Sequence, residues 1–143
     1  MEWVEFVAVM NPSPQPRVGS SPMGHRYSLP KGHPTARYRQ RVKALARQAM
    51  ADAGYEPWHG PIGIMIEYYR HRPKRLMRKK DPEHAVWAPT RPDVDNYNKA
   101  TFDALNGVVW VDDGQIVEEH VYKRYHAKST KPRICIRIWC IQE

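Results

Sequence analysis

A proline followed by two aspartates one residue apart, at the mouth of an amphipathic run, constrains this chain more than any other feature. The stretch is Arg91–Glu119, RPDVDNYNKATFDALNGVVWVDDGQIVEE. Pro92 blocks helix before it and biases Arg91 toward extended backbone. Beyond it, Val94, Tyr97, Thr101, Ala104, Leu105 and Val108 recur at three- and four-residue spacing. That spacing predicts a helix, stopped by Asn106-Gly107, whose residues tolerate the left-handed conformation. Asp112-Asp113-Gly114 then reads as a turn. The following QIVEEHVYKRY is rich enough in β-branched and aromatic residues to be a strand.

The D-x-D spacing has its own geometry. Residues two apart diverge on a helix but share a face in extended backbone. Asp93 and Asp95 can therefore converge on one ion if Asp93 lies in the extended lead-in and Asp95 at or near the helix N-cap. A plainer reading gives each feature a structural job: an Asp cap, an i,i+4 ion pair between Asp95 and Lys99, and a turn at Asp112-Asp113. Four aspartates and a lysine gathered on one helix–turn–strand go beyond those jobs and point to an acidic metal site.

The run PDVDNYNKATFDALNGVV, the DDGQIVEE after it and the strand lysine Lys123 resemble the RusA-type Holliday junction resolvases. That family has a P-D-x-D-N-x-x-K…D-A-L-N-G…D-D-x-Q-I pattern. The resemblance implies a structure-selective endonuclease that cuts four-way DNA junctions in recombination and repair. It implies a homodimer whose acidic sites lie in a basic surface, and essential roles at the matching positions.

A phosphodiester is anionic, so its hydrolysis requires charge to be neutralised and water to be activated. Carboxylate oxygens suit Mg²⁺, or Mn²⁺ in vitro. A bound ion lowers a water's pKa, aligns it with phosphorus and stabilises the charge leaving on the 3′ oxygen. Asp93, Asp95 and Asp113 are the expected ligands, with Asp112 a weaker fourth. Lys99 is expected to stabilise the pentacovalent phosphate or orient the attacking water. One ion or two is left open.

Composition agrees with such a substrate. A net charge of +8 and a pI near 9.7 imply a polyanionic partner, nucleic acid first. With 41% hydrophobic residues, five Trp and eight Tyr among 143 residues, the chain is expected to fold as one domain spanning 1–143. No apolar run approaches the ~20 residues of a membrane span, and no signal peptide is visible. Cys135 and Cys140 face opposite ways on one expected strand and cannot pair there. The expected setting is a reducing cytoplasm, bacterial or phage-encoded.

Positive charge is concentrated in two loops. A Pro/Gly-rich stretch at about 11–34 carries Arg17, Arg26 and Lys31. A second loop, about 71–90, carries Arg72, Lys74, Arg75, Arg78, Lys79 and Lys80 and runs straight into the acidic stretch. Either could be a solvated connector. As DNA contacts, Arg17, the six cations of the second loop and Lys123 would offset the repulsion between carboxylates and phosphates. His71 and His84 read as exposed polar residues rather than metal ligands.

The remaining chain supplies the scaffold. Trp3–Met10 is a short strand, and residues 34–52 form a helix with a stripe of Tyr38, Val42, Leu45 and Ala49 widened by Ala46 and Met50. Thr35 is its expected cap and Gly54 its expected stop. Pro61–Arg70 alternates Ile62, Ile64, Ile66 and Tyr68 on one face, and the last strand alternates Ile134, Ile136, Ile138 and Cys140. The order implies an α+β fold: a small mixed, mostly antiparallel sheet with two helices packed on one face. All four carboxylates are expected at one end of it. Two other classes compete. A haloacid-dehalogenase-like phosphatase would need its D-x-D at the end of an apolar strand and a longer, doubly wound chain. A basic DNA-binding protein without catalysis would use the aspartates only to cap and turn.

Overall fold

The computed structural model describes residues 1–16 and 32–142. Its elements are β1 (Trp3–Ala8), α1 (Pro34–Ala53), β2 (Ile62–Arg70), β3 (Val86–Trp87), α2 (Val94–Leu105), β4 (Ile116–Tyr125) and β5 (Arg133–Cys140), with 3₁₀ turns at Lys74–Leu76 and Asp113–Gln115. The expected α+β class holds, and each helix and long strand lies where its periodicity put it. Arg17, Arg26 and Lys31 lie outside the described residues.

The sheet runs β1-β5-β2-β4-β3. Its pairs are antiparallel except β2 with β4, which run parallel from Ile62↔Ile116 to Arg70↔Tyr125. A parallel neighbour needs a crossover, and the crossover here is the segment holding the basic loop, β3 and α2. Alternation then does what it should: Val4 and Ala8, Ile62, Ile64, Ile66 and Tyr68, and Ile134, Ile136 and Ile138 share one buried face. Tyr38, Val42, Ala46 and Met50 of α1 and Tyr97, Ala100, Thr101, Ala104 and Leu105 of α2 cover it.

Two local details differ from expectation. The N-cap of α1 is His33, whose Nδ1 accepts the Thr35 N–H at 3.1 Å; the Thr35 hydroxyl is buried instead and donates to the Pro14 carbonyl at 2.9 Å. Gly54 does end the helix, in the left-handed region at φ 74°. The short edge strand β3 carried no sequence signal and pairs only with Arg124 and Tyr125.

A polar cluster locks α2 to its supports. The Thr101 hydroxyl lies 2.7 Å from that of Tyr38 on α1 and 2.9 Å from that of Tyr68 on β2, and the Tyr68 hydroxyl donates to Asn98 at 2.8 Å. Burial drives both phenol pKa values upward, so these hydroxyls stay neutral donors. Tyr97 stacks on Tyr68 with ring centroids 5.0 Å apart. The helix that carries the D-x-D is thereby fixed in rotation over the sheet.

Candidate active site

Asp93 is the N-cap of α2, with extended dihedrals of φ −69° and ψ 153°, yet its carboxylate accepts no capping hydrogen bond. The extended backbone that convergence of a D-x-D pair requires is therefore present at Asp93, and Asp95 follows in the first helical turn. Both side chains are exposed. The positive end of the helix dipole favours anions there. Lys99, one turn further on, is also exposed, and among the described residues it makes no ion pair with Asp95.

The turn ahead of Asp93 is held from below by two cations on the parallel strands. Lys123 Nζ donates to the Thr90 and Pro92 carbonyls at 2.7 and 2.8 Å. Arg70 donates to the Thr90 carbonyl at 3.2 Å, the Thr90 hydroxyl at 3.0 Å and the Arg91 carbonyl at 2.9 Å, while lying over the Tyr125 ring. Burial and the neighbouring Arg70 push the Lys123 ammonium's pKa down, and Asp93 opposes them. Two of the three Lys123 donors are thus spent on the turn. Its first task is to position Asp93's approach rather than to reach outward. Arg70 carried no motif signal; only the parallel register shows why a strand-terminal arginine sits there.

The second acidic pair divides its labour. Asp112 Oδ2 accepts the Gly114 N–H at 2.9 Å, and the Gln115 side chain returns to the Asp112 N–H at 2.9 Å, a capping box over the 3₁₀ turn. For Asp112 the plainer reading is the observed one. Asp113 is exposed, and no hydrogen bond engages its carboxylate among the described residues. It lies near enough to Asp103 on α2 to help raise that residue's pKa, after burial and against the pull of Arg39 at 3.8 Å. Asp103 and the strand residue Glu119 add negative charge that the motif reading passed over.

The expectation that all four carboxylates sit at one end needs correction. Asp113 immediately precedes β4, whereas Pro92 is bonded to Lys123 near the far end of that strand. Lys123 lies seven steps along the strand from Ile116, roughly 23 Å at the usual rise. α2 runs the same course in reverse, returning toward Trp58, whose N–H donates to the Val109 carbonyl. The two pairs stand at opposite ends of α2. Among the described residues no three His, Cys, Asp or Glu side chains gather closely enough to hold a metal ion. The donor chemistry fits a hard cation, since among the described residues the carboxylates of Asp93, Asp95 and Asp113 have no hydrogen-bond or ion-pair partner, but one chain brings only the D-x-D pair to one place.

The basic loop also divides. Lys74, Arg75, Arg78, Lys79 and Lys80 are exposed. Arg72 is a correction: it is 2% exposed and spends its guanidinium on the carbonyls of Leu76, Pro82, His84 and His126, at 2.8 to 3.4 Å. It is the loop's internal strut, not a phosphate contact. Lys128 adds an outer tie to the Arg78 carbonyl at 2.6 Å. Lys74, Arg75, Lys79 and Lys80 have no carboxylate partner among the described residues, Arg78 pairs with Asp81 at 3.4 Å, and all five are displayed on a shaped loop beside the edge that leads to Asp93.

Comparison with known proteins bears directly on this arrangement. Residues 9–139 match the family model described as Endodeoxyribonuclease RusA. The chain belongs to the RusA endodeoxyribonuclease family. It is 33% identical over 116 residues to the crossover junction endodeoxyribonuclease RusA of Escherichia coli (strain K12), covering 78% of this chain and 81% of that one. The Shigella sonnei (strain Ss046) protein of the same name is 33% identical over 100 residues, 69% of this chain and 68% of its own. A Bacillus subtilis (strain 168) protein described as uncharacterized, YqaN, is 29% identical over 143 residues, 96% of each. As an endodeoxyribonuclease of this family, the chain has the acidic and basic surfaces just described at the disposal of phosphodiester hydrolysis. No helix among the described residues is long and apolar enough to cross a membrane.

Proposed function

We propose that this RusA-family protein is a Mg²⁺-dependent, structure-selective endonuclease that resolves four-way DNA junctions by paired incisions, as a homodimer serving recombination and repair in the cytoplasm. The observation that carries the metal reading is Asp93: a helix N-cap whose carboxylate is left out of the cap and exposed beside Asp95. An aspartate at that position ordinarily spends its oxygens on backbone N–H groups. Here they make no capping bond, and among the described residues no other, while a lysine and an arginine fix the turn beneath them.

A bound divalent ion would supply an activated water and neutralise charge on the phosphate. Asp93 and Asp95 would hold it, and Asp113, at the far end of α2 in the same chain, would join them from the other copy of the homodimer. Lys99 presents an ammonium one turn inside the helix, where it can meet the extra negative charge of the pentacovalent phosphate. Lys74, Arg75, Arg78, Lys79 and Lys80 attract the backbone and offset the repulsion between carboxylates and DNA. Two incisions in opposed strands call for two such sites.

The test is cleavage of a synthetic four-way junction and of the matched linear duplex, with Mg²⁺, with Mn²⁺ and with EDTA. Metal-dependent paired cutting of the junction and little cutting of the duplex is expected. Tight junction binding without any metal-dependent incision would leave a DNA-binding protein and overturn the enzyme reading.

A further inference from the structure

Beside the segment that leads into Asp93 lies a pocket with one aromatic wall, on the loop that carries the cations. We propose that it takes a single unstacked nucleobase of the bound DNA, laid on the indole of Trp87, and so favours branched DNA over duplex. The inference rests on the DNA-binding part of the reading above and needs neither the metal nor a second copy.

The pocket has a volume of about 340 Å³, room for one base. Arg75, Leu76 and Pro82 bound it from the basic loop, and Trp87 and Thr90 from the segment beyond. Trp87 sits on the two-residue edge strand β3 and is 63% exposed, so burial in the core does not account for it. Its ring is held nonetheless. The Arg124 guanidinium lies over it, 4.4 Å from the centroid, and is itself fixed by Glu67 at 3.2 Å. The loop wall is fixed as well, by buried Arg72, which also lines the pocket, and by the Lys128 tie to the Arg78 carbonyl. Walls fixed in advance lose little freedom when a ligand enters. A surface tryptophan packed on an arginine explains the ring but not the cavity beside it.

Charge and position choose the occupant. The exposed cations of the same loop draw a polyanion to this face rather than an apolar peptide. Asp81, the acidic group on the lining, spends its carboxylate on Arg78, accepting the backbone N–H at 2.8 Å. Aromatic planes beside cations are how single-stranded nucleic acid is held: the cations follow the backbone and each ring stacks a base. Thr90 is three residues from Asp93, no more than about 11 Å along an extended chain. A base in the pocket therefore belongs to a strand whose backbone passes close to the D-x-D pair. Drawing a base out of a matched duplex forfeits its stacking and pairing, and costs least where a branch has already freed it. The pocket thus discriminates by shape, without reading sequence along a groove.

Deleting the ring and the base separately and together tests the pocket. Four-way junctions carrying one abasic site each, stepped through the strands on both sides of the branch point, are titrated in EDTA with wild type and with Trp87→Ala. Trp87→Ala should bind the intact junction roughly 5- to 150-fold more weakly, the range for one base–aromatic stack. Its salt slope and melting temperature should match wild type, because no phosphate contact and no core residue is lost. Trp87→Phe should restore most of the affinity. At the position whose base fills the pocket, the abasic site should cost wild type a similar factor and cost Trp87→Ala nothing more. On matched linear duplex the two proteins should bind alike. Additive losses at every position, or wild-type affinity in Trp87→Ala, would overturn the inference. Coupled losses in a protein that never cuts would uphold the pocket and sink the enzyme reading, whereas a wild type that binds no junction overturns both.

Discussion

Gln115 grips the backbone of Asp112: its Oε1 accepts the Asp112 N–H at 2.9 Å while its Nε2 donates to the Trp58 and Gly60 carbonyls at 2.8 and 3.0 Å. The turn is therefore anchored to the start of β2, and Asp112 completes it by accepting from Gly114. Neighbouring aspartates thus have different fates. Asp112→Asn should cut junctions within a few-fold of wild type, because an amide oxygen can still accept the turn's N–H. Asp112→Ala should cost about 0.5–2 kcal/mol of stability, the usual range for a lost cap. Asp113→Asn should abolish cutting with the melting temperature unchanged. Thermal melts and single-turnover assays on the three variants separate the roles; equal loss in both Asn variants would mean both carboxylates hold metal.

Asp93→Asn and Asp95→Asn should each abolish cleavage while leaving junction binding intact or stronger, since removing an anion from a basic surface does not weaken attraction to DNA. Gel shifts in Ca²⁺ or EDTA, beside cutting assays in Mg²⁺, read the two effects separately. Near-normal turnover by either variant would remove it from the site.

Arg72 and its neighbours in the loop should behave in opposite ways. Neutralising Arg75, Arg78, Lys79 and Lys80 together should weaken junction binding and flatten its salt dependence, by up to about 0.9 in slope for each phosphate no longer neutralised. Single-turnover cutting at saturating protein should change far less. Arg72→Met should instead destabilise the fold by about 1–3 kcal/mol or more, because it strips hydrogen bonds from carbonyls buried around it. Denaturant unfolding and salt titrations, run on both proteins, give the comparison. An Arg72→Met protein of wild-type stability would contradict the strut.

Lys99 tests the chemistry most directly. A surface ion pair with Asp95 would contribute only about 0.3–0.5 kcal/mol, and that pair is not made here. Acting on the phosphate, the ammonium should supply enough that Lys99→Ala slows cutting by about 100-fold or more. Lys99→Arg keeps the charge but not the compact geometry and should rescue poorly. Single-turnover rates on a four-way junction decide it, provided both variants melt with the wild type.

Periodicity made the scaffold legible. Alternating isoleucines in β2 and β5 and the stripe of α1 report burial directly, because one buried face imposes one spacing. The D-x-D and its lysine stand out for a different reason, as a motif rather than a periodicity, and the structure puts them at the start of α2. Interactions of polar groups at long range were not legible. Arg72 looks like any other cation of the basic loop, yet backbone carbonyls four to fifty-four residues away draw it inside. Nor does spacing reveal that β2 and β4 run parallel. The nineteen residues between Asp93 and Asp113 look like proximity on paper, but a helix running out along a sheet and a strand running back from its far end keep them apart.

β5 lies between β1 and β2 although it follows every other strand in the chain. During synthesis, then, the ribosome delivers β1, β2 and β4 before the strand that joins the first of them to the rest. Until residues 133–140 emerge, the inner faces of Val4 and Ala8 and of Ile62, Ile64 and Ile66 have no complete sheet to close, and pairing across so long a stretch of chain is slow. The nascent protein must wait, with apolar strands exposed to chaperones or to aggregation. A chain broken before residue 133 lacks the strand that joins β1 to β2 and is expected to leave the sheet open.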